Sequence, residues 1–400
     1  MTAPGWRHLG GRLRATPALH LADQALSSGT NFLGVVIVAR QASPEEFGVF
    51  SIFLLAFFVT AGFDRGVPHA VAMTLEWDDE RARNGYFFLP PLVLGTLATL
   101  VLVPVVWVLD PTFLGLSVLL LPLLVQDAGR MHAFSVQRPH VALLSDGIWL
   151  VVTAAGFLVV STAAGAATLW ALGGVAGLAV FRPWRIRLRR ERRARTGSLL
   201  SAALEYGTLA GVGYITPLVA APLIAVAGVG ALQGANVIRG PFLMLVQGLV
   251  LHRMSGPPIT PATCVREALR LSGLVLAVTL LCVPPMILLR DVYGPPLLGS
   301  TWPDVEPLVI PALLTMVVGS VAFGPLTIVR KMGRFPLAAT VQLALAPFYF
   351  GLPLAGAAIA GTSGFLYATS VAYALAVVLW WTVLPRVAAG PVPRPDPALA

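Results

Sequence analysis

The chain alternates about twelve long apolar stretches with short polar gaps, and 23 of its 27 basic side chains fall in every second gap. A stretch of about twenty apolar residues, rising 1.5 Å per residue as a helix, crosses roughly 30 Å of hydrocarbon. Inside lipid an unpaired peptide group costs several kcal/mol, so a spanning segment is either a helix or a strand of a closed barrel. Nothing here alternates with the two-residue period of barrel strands. The pattern predicts an all-α polytopic membrane protein.

The basic residues also orient the chain. Arg7, Arg12 and Arg14, Arg81 and Arg83, Arg130 and Arg138, eight arginines between residues 182 and 195, Arg253, Arg266 and Arg270, Arg330, Lys331 and Arg334, and Arg386 and Arg394 all fall on one side. The opposite side holds Arg40 and Arg290, while Arg65 and Arg239 lie within stretches. Lys and Arg are retained in cytoplasmic loops during insertion, so both termini are expected in the cytoplasm of a bacterium, with the protein in its inner membrane. The predicted spans are about 19–39, 48–74, 86–109, 113–134, 141–161, 164–181, 201–223, 228–251, 270–289, 305–329, 336–355 and 362–384. The first is expected to serve as its own signal anchor without cleavage.

Composition excludes several classes. With 57% hydrophobic and 11% charged residues, a soluble globule of this length would lack polar surface. The net charge of +9 is dispersed over seven loops without interleaved aromatics, which argues against a nucleic-acid partner. The basic run after residue 181 is a solvated connector beside anionic headgroups, and makes membrane lipids the first expected partner. Cys264 and Cys282 form neither a metal spacing nor a disulfide framework. No paired-histidine zinc motif, phosphate-cradling glycine loop or nucleophile elbow is present, so neither an enzymatic activity nor a cofactor is expected.

The longest polar segment divides the spans evenly. Residues 1–181 form an N-terminal six-helix lobe, 182–199 a basic cytoplasmic linker, 200–385 a C-terminal six-helix lobe and 386–400 a cytoplasmic tail. A faint repeat accompanies this division: Asp23 and Glu205 each stand one turn inside the start of spans one and seven, and Gly48 and Gly230 open spans two and eight at the same offset. Duplicated bundles of this kind are common among transporters.

A charge at the membrane centre costs about 2.5–3.5 kcal/mol on insertion scales, so ionisable residues within spans point to function. Arg239 is the sharpest case. Lying nine residues past Gly230, it should be about 13 Å deep, beyond the reach of snorkelling. Gln233, Asn236 and Gln247 are polar at nearby helical spacings, which predicts a wet face; the structural alternative is an arginine bonded to a carbonyl freed by Pro241. Asp64 and Arg65 close span two, about 100° apart around the helix, so neither can face the other without help from another helix. Asp127 and Arg130 are spaced for an intrahelical pair, and His69 and His132 read as interface residues. Asp23 and Glu205 have the fewest evident partners, and a carboxyl in a low-dielectric site suits a coupling ion.

The passage Phe32 to Ser51, with Arg40 followed by Pro44-Glu45-Glu46-Phe47-Gly48, resembles the opening of bacterial polysaccharide flippases of the multidrug/oligosaccharidyl-lipid/polysaccharide exporter superfamily. Asp64-Arg65-Gly66 falls where relatives end span two with an Asp-Leu-Gly-like turn, and Arg239-Gly240-Pro241 resembles their span eight. The resemblance implies two six-helix lobes in a V, moving a lipid-linked sugar outward by alternating access. It also implies a substrate site containing Arg239 and Arg65, and partners such as a glycan polymerase or glycosyltransferases. A drug or small-solute antiporter is the competing reading, since Gly62 to Gly66 is also similar to a loop of major-facilitator proteins. A non-transporting subunit of a glycan assembly system is the third.

Overall fold

The structure is a computed structural model that describes residues 6–69, 79–183, 186–188, 211–255 and 259–389. Within these residues the secondary structure is entirely helical, and the chain divides into two compact units, Met1–Leu199 and Leu200–Ala400.

The first unit contains α1 (Trp6–Gln41), α2 (Pro44–Asp64), a π-helical turn Arg65–His69, α3 (Glu80–Leu109), α4 (Leu114–Ser135), α5 (Pro139–Val159) and α6 (Ala163–Leu178). The first turn of α2 closes in a capping box: Ser43 Oγ accepts from the Glu46 amide at 3.2 Å, and Glu46 Oε2 accepts from the Ser43 amide at 2.7 Å. Phe50, Phe53 and Phe57 form a stripe on α2 that meets the Trp170 ring edge-on at 6.0–6.3 Å between centroids. Trp149 closes the same core by donating its indole N–H to the Trp170 carbonyl at 2.6 Å. Leu97, Leu100, Val101 and Val108 on α3 remain exposed. In water such a face would be untenable; against lipid tails it is satisfied.

Nine helices among the described residues have the length and hydropathy to cross a membrane. The first span falls outside that set because the amino half of α1 is polar, with Asp23, Ser27 and Thr30 buried along one face. These residues turn toward the bundle rather than the lipid. The other shortfall has two sources: Pro336–Arg386 holds two predicted spans in one helix, and about half of the span predicted at 201–223 lies outside the described residues.

In the second unit, α7 (Thr216–Ser255) is broken at Ala225, where the backbone takes φ 61° and ψ 168°. Next come α8 (Pro261–Leu288), α9 (Arg290–Leu298), α10 (Val309–Ser320), α11 (Phe323–Lys331) and α12 (Phe335–Ala389), the last broken at Ala360 and Gly361. The second break is a reversal. Gly356 and Gly364 flank it, and a Cβ built on either would run into the other's backbone carbonyl; farther out, Tyr349 and Tyr373 meet edge to face at 6.0 Å. Only glycine lets the two arms approach so closely. Residue 359, at the tip, is an 85% exposed isoleucine.

The span predicted at 305–329 is two helices, α10 and α11, separated at Val321 and Ala322. The break leaves the Val321 carbonyl without a helical partner. Ser272 Oγ donates to it at 2.8 Å, and Trp381 Nε1 donates to it at 3.1 Å. A broken helix at membrane depth requires such replacements. The segment 290–298, expected as part of a short external gap, is the helix α9.

Candidate functional site

The first unit buries more charge than the sequence suggests. Arg130 on α4 is 4% exposed and is surrounded by three carboxyls from three helices. Its Nη2 donates to Asp23 Oδ2 on α1 at 2.7 Å, and its Nη1 to Asp127 Oδ1, one turn back, at 3.2 Å. Its Nε lies 2.9 Å from Asp146 Oδ2 on α5, an ion pair whose geometry is off the N–H axis and leaves both atoms without a hydrogen bond. Arg65, at the end of α2, engages Asp127 from the other side: its Nε donates to Oδ2 at 2.7 Å and its Nη2 pairs with Oδ1. Gln126 completes the set, donating to Asp146 Oδ1 and to Ser145 Oγ, each at 3.0 Å.

Asp64 adds a fourth buried carboxyl, and neither of its oxygens has a hydrogen-bond partner. Asp23 Oδ1 and Gln126 Oε1 are also buried without a donor. Three carboxyls thus pair with two guanidinium groups, and Asp64 stands within electrostatic range of Asp127 and Arg65. Fully ionised, the cluster would carry two uncompensated negative charges in a low-dielectric bundle, a state that bound protons or other monovalent cations would relieve. Among the described residues no three His, Cys, Asp or Glu side chains converge with metal-ligand geometry. The carboxyls are held apart by the arginines between them. His69 sits beside this cluster, its Nε2 bonded to the Phe87 carbonyl oxygen at 2.9 Å, and His132 meets the Phe87 ring edge to face.

Arg239 in the second unit is the opposite case. It lies 14 residues past the Ala225 break and 16 before the end of α7, so at 1.5 Å per residue it stands near the middle of the span. The guanidinium turns into the unit: Nη1 donates to Thr315 Oγ1 on α10 at 2.6 Å, and Nη2 to Asn236 Oδ1. Asn236 in turn donates to Gln233 Oε1 at 3.3 Å. The phenols of Tyr214 and Tyr373 lie within electrostatic range. Arg239 Nε has no partner, and among the described residues no carboxylate pairs with the side chain. A half-buried cation with only neutral partners is prepared for an anion that is not part of the chain.

These positions revise several expectations. Arg130, counted above with the loop charges, is the hub of a buried network. Asp23, expected to have few partners, is held by Arg130. Arg239 bonds a threonine side chain and not a carbonyl freed by Pro241. Gln233 and Asn236 share the Arg239 network, whereas Glu205 and the side chain of Gln247 lie outside the described residues. Asp146 was missed, although an acid in the middle of an apolar stretch is the same signal that singled out Asp23.

No family model matches the chain, and no curated protein matches it at the sequence level. The fold does have solved counterparts. A multidrug resistance MATE family transporter of the MOP superfamily in an inward-facing conformation aligns with TM-score 0.68 at 13% identity, over 92% of this chain and 95% of that one. The outward-facing conformation of such a transporter gives 0.61 at 13%, over 94% and 95%. A MOP superfamily transporter from Pyrococcus furiosus, whose binding pocket is described as reversed in polarity, gives 0.59 at 13%, over 94% and 95%. The chain therefore has the polytopic all-α fold of MOP superfamily transporters.

Proposed function

We propose that this protein is a flippase for glycan precursors, moving a lipid-linked oligosaccharide across the bacterial cytoplasmic membrane by alternating access. The observation that carries the reading is Arg239, a mid-span guanidinium whose partners are all neutral. A phosphate group linking sugar to lipid would supply the missing anion, and a guanidinium forks phosphate oxygens bidentately without losing its proton. Gln233 and Asn236 supply amide groups of the kind that bind sugar hydroxyls, and Gln247 shares their helix. The fold supports transport, because its solved counterparts are transporters known in inward-facing and outward-facing conformations. The charge distribution supports cytoplasmic termini, and Arg65 stands as a second substrate contact only if it exchanges Asp127 for the substrate.

The acid cluster of the first unit is the proposed coupling site, with Asp23 as one member and Glu205 as its counterpart in the second unit. Cation binding there would remove the excess charge, and release would restore it, giving two states that a gradient could bias. A second reading draws on the same cluster. Excess carboxyls suit cationic drugs, and the solved counterparts include multidrug resistance transporters, so a multidrug or small-solute antiporter is the alternative.

One strain separates the two. Deleting the gene should trap lipid-linked glycan on the cytoplasmic leaflet and strip the cell surface of that glycan, with recovery on re-expression. Intact surface glycan together with new sensitivity to cationic drugs would replace the flippase by the antiporter.

A further inference from the structure

A cavity of about 450 Å³ opens at the basic end of the first unit, between the start of α3, the α4–α5 turn and the segment after α6. None of its lining residues belongs to the acid cluster, and the coupling role does not use it. Its rim carries Arg138 and Arg182, both exposed, and Arg83 stands beside them close enough to act electrostatically on His132. None of these three arginines forms an ion pair among the described residues, and Arg83 Nε is buried without a partner. Glu80 is the one acid among the described lining residues.

The interior has two further features. Asn84 and His132 line it, and each leaves a buried polar atom unanswered, Asn84 Oδ1 and His132 Nε2. The remaining wall is apolar, including Phe88, Val141, Val180 and Phe181. Unpaired guanidiniums call for an anion, the orphaned amide oxygen for a hydroxyl donor and the apolar wall for hydrocarbon. Phosphate is the shared chemistry, and it could arrive as a free ion or as part of a lipid. The apolar wall and the position of the cavity, at the ends of the four apolar helices α3 to α6, favour the lipid.

We propose that this cavity binds the headgroup of an anionic phospholipid from the leaflet at the basic end, with the phosphate on Arg138 and Arg182, a headgroup hydroxyl on Asn84 and the first acyl carbons against Phe88 and Val180. The lipid is a resident of the first unit and not cargo. Its site leaves the substrate residues free.

The test uses the full chain, purified in neutral detergent, delipidated and titrated in native mass spectrometry with phosphatidylglycerol, phosphatidylcholine of matched chains, and inorganic phosphate. Wild type should keep one phosphatidylglycerol at concentrations where phosphatidylcholine is lost. Replacing both Arg138→Gln and Arg182→Gln should weaken it by about fivefold per arginine, from about 1 kcal/mol for each basic residue near an anionic surface. The pair Arg138→Lys and Arg182→Lys should retain most of the binding, which separates lost charge from lost folding. Arg81→Gln, exposed and outside the cavity, should bind as wild type does. Equal retention of both lipids, unchanged phosphatidylglycerol binding in the double Gln variant, or occupancy by inorganic phosphate in place of lipid would overturn the proposal.

Discussion

Arg130 on α4 and Asp23 on α1 are 107 positions apart in sequence and 2.7 Å apart in space. Their contact ties the polar half of the first helix to the centre of its unit, and Arg130 holds Asp127 and Asp146 in the same grip. Removing the guanidinium would leave three buried carboxyls with too few donors. Breaking a buried ion pair from one side costs about 3–5 kcal/mol. Arg130→Met should therefore lower the thermal midpoint of the purified protein sharply. Adding Asp23→Asn and Asp146→Asn should recover part of the loss, because the excess charge goes with them. An Arg130→Met protein that melts with the wild type would show that the network contributes nothing to the fold.

Asp64 makes the contrasting case. Both its oxygens are buried without a donor, so the carboxyl contributes no hydrogen bond that its removal would break. Asp64→Asn should fold and melt at or above the wild-type temperature, while transport in proteoliposomes loses its dependence on an imposed cation gradient. Asp146→Asn should show the same loss of coupling with reduced stability, since Asp146 also pairs with Arg130 at 2.9 Å. Gradient dependence that survives both substitutions removes the cluster from the coupling mechanism.

Much of this architecture was legible in the sequence, for a physical reason: a bilayer imposes length and hydropathy on each span separately. Spans such as Pro139–Val159 and Ala163–Phe181 stood out on those grounds, and the division of the apolar run between them at Ser161 was right. What hydropathy could not show is which polar residues meet. Asp23 and Arg130 find each other only through the packing of α1 in the bundle, and Arg65 finds Asp127 at a separation of 62 residues. Asp127 and Arg130 do form the intrahelical pair that their spacing predicts, but that pair is one edge of a larger network. Arg239 was legible because its cost is local to its own span. Its partner Thr315, 76 residues away, was not.

The hairpin in α12 rests on two glycines. Gly356 and Gly364 let the arms pass backbone to backbone, and a methyl group on either would meet the other's carbonyl. Gly356→Val should destabilise by about 1–3 kcal/mol, the usual cost of overpacking a close contact. Gly351 lies on the same arm with open space where its Cβ would be, so Gly351→Ala is the matched control and should be neutral. Melting temperatures of the two variants in one detergent decide the matter: equal values would mean that the arms can separate at no cost.

Arg239 yields the most direct prediction about activity. Its fold environment asks little of it, since its bonds run to Thr315 and Asn236 and no carboxylate of the described chain depends on its charge. Arg239→Ala should therefore insert and fold, in contrast to Arg130→Met. If the guanidinium meets the substrate anion, the lost charge-assisted bonds are worth about 1.5–3 kcal/mol, a loss in transport of about 10-fold to 150-fold. Arg239→Lys keeps the charge but not the fork and should retain part of the activity. Thr315→Val removes one neutral partner and leaves the guanidinium in place, so its effect should be smaller, about fivefold for a single hydrogen bond near 1 kcal/mol. The order wild type, Thr315→Val, Arg239→Lys, Arg239→Ala in surface glycan, at equal protein levels, is the signature of an anion held by Arg239. Full export by Arg239→Ala would assign this arginine to packing between α7 and α10 alone.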